Sequence, residues 1–192
     1  KNLRPAILQR MKLKAHGVHP KSGDLYIGLP DGTRIRVARS ESNIIAKALA
    51  EDFAKIHMQR PVVLWLSASD KKVYPQFVEL SEKVGLRFDP STELPDVILG
   101  DLGSTVRFIM CEVVVSDGAV TEARQDALLK FVRASNVPNS SVRFLSAFED
   151  REATALRKNF GQLAIGSLVW FRTEPSLLVT LTSKTKKSLL RG

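Results

Sequence analysis

Apolar and polar residues alternate from Asp24 to Ala38, broken only by Pro30-Asp31-Gly32. That pattern predicts a hairpin: Leu25–Leu29, a tight turn, then Thr33–Ala38. From Ser40 to His57 the period lengthens, and Ile45, Leu49, Phe53 and Ile56 fall on one helical stripe. Pro61 to Leu66 is a short unbroken apolar run, as in a strand buried on both faces. Val73, Phe77, Leu80 and Val84 form a second helical stripe, closed by Gly85.

Two strand-like runs follow, Asp96–Leu99 and Val106–Val115, joined by Gly100 to Thr105. A helix is predicted over about 121–134, with Thr121 as its N-cap and Leu128, Phe131 and Val132 facing inward. Val142–Phe148 reads as a strand and Glu149–Asn159 as a short helix. Leu163–Phe171 and Leu177–Leu181 read as closing strands. The class is α/β (α+β), one central sheet flanked by helices.

Composition narrows the field. With 192 residues and 44% hydrophobic side chains, the chain can build a substantial core. No apolar run approaches the roughly 20 residues of a membrane span, no secretory signal is visible, and one cysteine, Cys111, excludes a disulfide framework. A reducing, cytoplasmic setting is expected. The chain opens on Lys1, as in a fragment or a processed product. Its net charge of +9 is unevenly placed. Residues 1–21 carry six basic side chains and residues 182–192 carry four, with no acid in either, which leaves residues 22–181 close to neutral. Basic ends are often solvated tails; otherwise they suit a polyanion such as DNA, RNA or acidic lipid.

The 96–115 hairpin carries the candidate chemistry. A turn centred near residue 103 or 104 places Asp96 opposite residue 110 or 112, so Asp96 and Glu112 share a sheet face in either register. Opposed Cβ atoms lie about 4.5–5.5 Å apart and diagonal ones about 7–8 Å. Two like charges at that range need a cation between them, and Mg²⁺ fits, bound by one or two carboxylates with water retained. The plainer alternative is a surface salt bridge, for instance to Arg107. Leu94 and Val97 beside Asp96, and Met110, Cys111 and Val113 beside Glu112, make an uncompensated charge costly and favour a metal.

Pro95-Asp96 followed 16 residues later by Glu112 is similar to the PD-(D/E)XK nuclease signature. The longer text, Leu94-Pro95-Asp96-Val97-Ile98-Leu99 and then Glu112-Val113-Val114-Val115-Ser116-Asp117-Gly118-Ala119-Val120-Thr121-Glu122-Ala123-Arg124, resembles the catalytic domain of the PstI/BsuBI family of type II restriction endonucleases. Val63 to Ser67 with Lys71-Lys72, Ser146-Ala147-Phe148 with Asp150-Arg151, Trp170-Phe171 and Glu174-Pro175 extend the resemblance over about residues 42–181. It implies a PD-(D/E)XK core with a mixed sheet, spanning residues 41–182 here. Residues 1–40 would be a basic extension with the hairpin, at most a remnant of a preceding DNA-binding domain, and residues 183–192 a basic tail.

The resemblance further implies Mg²⁺-dependent hydrolysis of double-stranded DNA at a short specific sequence, with Mn²⁺ as a possible substitute ion. A homodimer on a palindromic site follows from matching two-fold symmetries. A prokaryotic cytoplasmic setting and a separately encoded DNA methyltransferase are also implied. Asp96 and Glu112 would hold the metal.

The signature lysine two residues after the acid is replaced here by Val114. Two cations are candidates for its work. Arg124 lies in the first turn of its helix on the inward face, where it opposes the helix dipole and calls for an anion, either Glu112 or a DNA phosphate. Lys72 follows the buried 61–66 strand, where it reads equally as a loop lysine. Ser116, four residues beyond Glu112, could bond a metal-bound water or a phosphate. A DNA-binding protein that kept the fold and lost cleavage is the alternative, with Val114 as its support; a basic RNA-associated domain rests on charge alone. His16 and His19 lack acidic or cysteine partners for zinc. Cys111 reads as a buried apolar group.

Overall fold

A computed structural model of the protein describes residues 23–67, 75–88 and 93–183. The basic ends, both N-terminal histidines, Lys71, Lys72 and Val73 lie outside the described residues. The hairpin is β1 (Asp24–Gly28) against β2 (Arg34–Ala38), antiparallel, with Tyr26 opposite Arg36. Asp31 closes its turn by accepting the Thr33 N–H at 2.9 Å.

Helix α1 (41–57) starts at Ser40, whose hydroxyl accepts the Asn43 N–H at 3.1 Å. It widens into a π-helical turn at Leu49–Phe53 before ending over Ala54–His57. Within that wide turn Glu51 reaches out to accept the Gly28 N–H, and Lys47 pairs with Glu51, so the hairpin is fastened along the helix.

Six strands make one mixed sheet in sequential order: β3 (Pro61–Leu66), β4 (Val97–Asp101), β5 (Arg107–Val113), β6 (Val142–Phe148), β7 (Leu168–Phe171) and β8 (Leu178–Thr180). Neighbours run antiparallel except β5/β6 and β6/β7, which are parallel. The parallel pairs need crossovers: α3 (Glu122–Ala134) joins β5 to β6, and α4 (Thr154–Asn159) lies between β6 and β7. The remaining helix, α2 (Pro75–Lys83), follows β3 and ends before Gly85, whose φ of +92° is the left-handed stop that glycine adopts without strain. No helix among the described residues is long and apolar enough to cross a membrane.

Alternation along β4 and β5 decides which layer each residue joins. Val97, Leu99, Cys111 and Val113 share a core with the hairpin and α1, through Ile27, Val37, Leu49 and Phe53. Ile98, Phe108 and Met110 face the other way, onto Leu128, Phe131 and Val132 of α3. Glu112 therefore points to the α3 side. A third cluster, with Val114, Phe148, Ala155 and Phe171, closes the end of the sheet at which β5, β6 and β7 finish.

Among the expected elements that are shorter than the sequence suggests, three have a clear local reason. The β5 ladder stops at Val113 because the chain bends through Ser116 to the left-handed Gly118 (φ +93°). The helix expected from Glu149 starts at Thr154, because the Asp150 carboxylate accepts the Glu152 N–H and forms a turn first. Leu163 joins only a single bridge to Thr121, and Gly166 (φ +88°) turns the chain before β7 begins.

Ser146 links sheet and crossover. It sits beside Glu112 in the β5/β6 register, is fully buried, and its hydroxyl oxygen accepts the Val120 N–H at 2.9 Å. Ser146→Ala would leave that buried N–H without an acceptor. The expected result is a loss of roughly 1–3 kcal/mol in a urea titration, with the same fold by circular dichroism.

Candidate active site

The antiparallel register pairs Val97 with Cys111, so one step outward sets Asp96 against Glu112. Of the two registers allowed by the sequence, the structure takes the directly opposed one. Asp96 lies just before β4 and accepts the Val113 N–H on its Oδ2 at 2.8 Å, which fixes the carboxyl at the strand edge. Glu112 is 5% exposed and stands across from Asp96 in the ladder. Burial first, and then the neighbouring Asp96 charge, push the Glu112 carboxyl up to about 7, although Arg124 pulls the other way.

Arg124 reaches the pair from α3. Thr121 caps that helix by accepting the Arg124 N–H at 3.1 Å, and the preceding residue is pinned twice, by Ser146 and by the Ala164 N–H on the Val120 carbonyl at 2.8 Å. The guanidinium then satisfies three acceptors. Its Nε donates to Glu112 Oε1 at 2.8 Å, Nη1 to Glu93 Oε2 at 2.9 Å, and Nη2 to the Leu94 carbonyl at 3.0 Å. The anion that a first-turn cation calls for is therefore Glu112, with Glu93 on the outer side. Arg107, the surface partner considered from sequence, instead sits opposite Asp101 in the register.

The structure thus brings together Asp96, Glu112 and Arg124. Ser116 is not gathered in: it is exposed in the bend after β5, where strand alternation has ended, and its carbonyl accepts the Asn159 side-chain amide at 2.9 Å. Lys72 lies outside the described residues. Val114, at the signature lysine position, is 1% exposed and packs in an apolar cluster. It also lines a cleft of about 320 Å³ with Ile44, Ile45, Glu149 and Arg172. The Glu149–Arg172 ion pair, at the ends of β6 and β7, joins residues 23 positions apart, which no local sequence pattern announces. Nor does one announce Glu93, although it lies only three residues before Asp96.

Among the described residues no three His, Cys, Asp or Glu side chains converge as a metal cage. The donor set nonetheless suits a divalent cation of the oxygen-seeking kind. Two carboxyl groups stand opposite each other, one of them nearly buried and reluctant to ionise beside the other. Mg²⁺ commonly takes one or two protein carboxylates and fills its shell with water and substrate phosphate.

A six-stranded mixed sheet flanked by helices, with paired carboxylates at the start of one central strand and the end of the next, defines a restriction-endonuclease-like fold. The BsuBI/PstI restriction endonuclease domain family matches residues 25–184, and the chain belongs to that family. It is 23% identical over 153 residues to the type II restriction enzyme BsuBI of Bacillus subtilis, covering 80% of this chain and 46% of that enzyme. The SdaI restriction endonuclease structure superposes with a TM-score of 0.73 at 23% identity, over 94% of this chain and 53% of that one. At that identity the likeness to SdaI is one of fold. The chain spans about half the length of both relatives.

The raised Glu112 carboxyl has a stability consequence. Between its ordinary value of 4.5 and about 7 the folded state holds a proton that the unfolded state has released. Stability of the metal-free protein therefore falls as pH rises through that window, by about 3 kcal/mol at most. The lowered carboxyls of Asp101 and Glu149 act below this window, losing stability as pH falls. Glu112→Gln keeps an acceptor for Arg124 and removes the titration. Its denaturation midpoint should change less between pH 5 and 8 than the wild type's, and exceed it at pH 8; equal pH slopes would contradict the assignment.

Proposed function

We propose that this chain is the catalytic part of a type II restriction endonuclease that hydrolyses phosphodiester bonds of double-stranded DNA at a specific short sequence, using Mg²⁺ or, in its place, Mn²⁺. The observation that carries this reading is the directly opposed Asp96–Glu112 pair in a chain of the restriction endonuclease family.

Asp96 and Glu112 would hold the ion. A bound divalent cation lowers the pKa of water and offsets charge building on the attacked phosphate. The protein's own groups do the rest. The Val113 N–H holds Asp96 at the strand edge, and Arg124 keeps Glu112 oriented and favours its ionised form against burial. Arg124 also brings positive charge next to the site, the office that Val114 cannot fill. Lys72 stays a candidate for orienting the attacking water, and Ser116, exposed beyond Glu112, for a phosphate contact. The ten basic residues at the two ends would add phosphate contacts that position DNA without reading its sequence. A homodimer would present one site to each strand of a palindrome, with a separately encoded methyltransferase protecting host DNA. The setting that follows is the prokaryotic cytoplasm.

A second reading has one specific support. Val114 sits in an apolar cluster where the signature places a cation, as in a DNA-binding protein that retains the fold without cleavage. Incubation of phage DNA with the protein and Mg²⁺ separates the two: discrete fragments support the endonuclease, and binding with no cutting in Mg²⁺ or Mn²⁺ supports the alternative. Asp96→Asn and Glu112→Gln should each reduce cutting by at least about a hundredfold while DNA binding stays near wild type. Full cutting by either variant removes that residue from the metal site.

A further inference from the structure

Each nitrogen of the Arg124 guanidinium donates once, and the three partners differ in kind. Glu112 is nearly buried, the Leu94 carbonyl is backbone, and only Glu93 is a solvent-exposed side chain, at 76%. Exposed ion pairs contribute little, in the range of about 0–1 kcal/mol, and exchange readily. Glu93 nonetheless places a carboxylate on Nη1 at 2.9 Å, beside the metal-site pair. A carboxylate presents two anionic oxygens to arginine much as a phosphodiester does, and arginine pairs with either.

We propose that Nη1 of Arg124 is a phosphate subsite for the DNA backbone, occupied in the free protein by Glu93 as an internal stand-in. Resting on the nuclease reading, the inference adds a ligand class and a mechanism of exchange. A backbone phosphate displaces Glu93, while Nε stays on Glu112 and Nη2 on the Leu94 carbonyl, so the guanidinium does not move as it changes partner. Glu93 keeps the arginine aligned without DNA and lowers affinity for anions that cannot outcompete it. Its position three residues before Asp96 ties the exchange to the loop that carries the first carboxylate.

The test is a double-mutant cycle on binding, in EDTA so that cleavage does not intervene, with a fluorescently labelled random-sequence duplex as probe. Glu93→Ala should bind DNA roughly three- to tenfold more tightly. The slope of log affinity against log salt should stay near the wild type's in Glu93→Ala, since both proteins make the contact, and flatten by about 0.9 in Arg124→Ala, which loses it. In an Arg124→Ala background the same substitution should change affinity by less than about twofold. Glu93→Gln, which keeps an acceptor without the charge, should fall between wild type and Glu93→Ala. Glu93 is exposed, so its single variants should melt as the wild type does, and Arg124→Gln, which keeps a donor for Glu112 without the charge, serves as the second background if Arg124→Ala folds poorly.

Equal gains in both backgrounds would mean general relief of negative charge, and would overturn the subsite. Weaker binding by Glu93→Ala would also overturn it, by making Glu93 a support rather than a stand-in. If the wild type binds and cuts phage DNA while Glu93→Ala behaves identically, only this inference fails. A wild type that neither binds nor cuts DNA removes the nuclease reading and the subsite with it.

Discussion

Two carboxyl groups set opposite each other where neighbouring strands of the sheet begin and end are the constraint around which this molecule is arranged. Asp96 and Glu112 come from neighbouring antiparallel strands in direct register, and one of them is nearly buried. Left alone, such a pair opposes ionisation of at least one member. The fold tolerates it by aiming fixed donors at it: the Val113 N–H at Asp96 and the Arg124 guanidinium at Glu112. Each donor has its own support. Val113 is held by the ladder, and Arg124 by a helix start capped by Thr121 and tied to the sheet through Ser146.

That chain of support explains the topology's contribution to the site. The parallel β5/β6 pair requires a crossover, and the crossover helix begins at the same sheet edge where β5 ends. The residue leaving the strand and the residue entering the helix thus come together although twelve positions separate Glu112 from Arg124. Gly118, with φ +93°, lets the chain reverse in the short space between them. The other face of the sheet is filled by the hairpin and α1, which share one apolar core with β4 and β5.

Much of this was legible in the sequence. Period-two alternation placed Asp96 and Glu112 on one face before any register was known, because a shift of two residues does not change the face. Thr121, with helical periodicity after it, located α3 and put Arg124 in its first turn. The unnoticed parts depend on contacts between distant segments. Nothing in the local sequence around Glu93 or Arg172 announces their partners, and Ser146 reads as an ordinary strand serine until the Val120 N–H arrives from another element. Strand β5 ends at Val113 although Val114 and Val115 have strand composition, because the bend after Val113 is imposed by the crossover. The Ser116 assignment leans on a strand continuing past that point.

The proposed chemistry requires one cation gripped jointly by both carboxylates. Crystals grown or soaked with Mn²⁺ and measured at its absorption edge test this most directly. The expected result is an anomalous peak about 2.0–2.3 Å from an oxygen of Asp96 and an oxygen of Glu112. A well-ordered site with no peak between them, or Mn²⁺ bound by other residues while the two carboxyls share a proton, would contradict it.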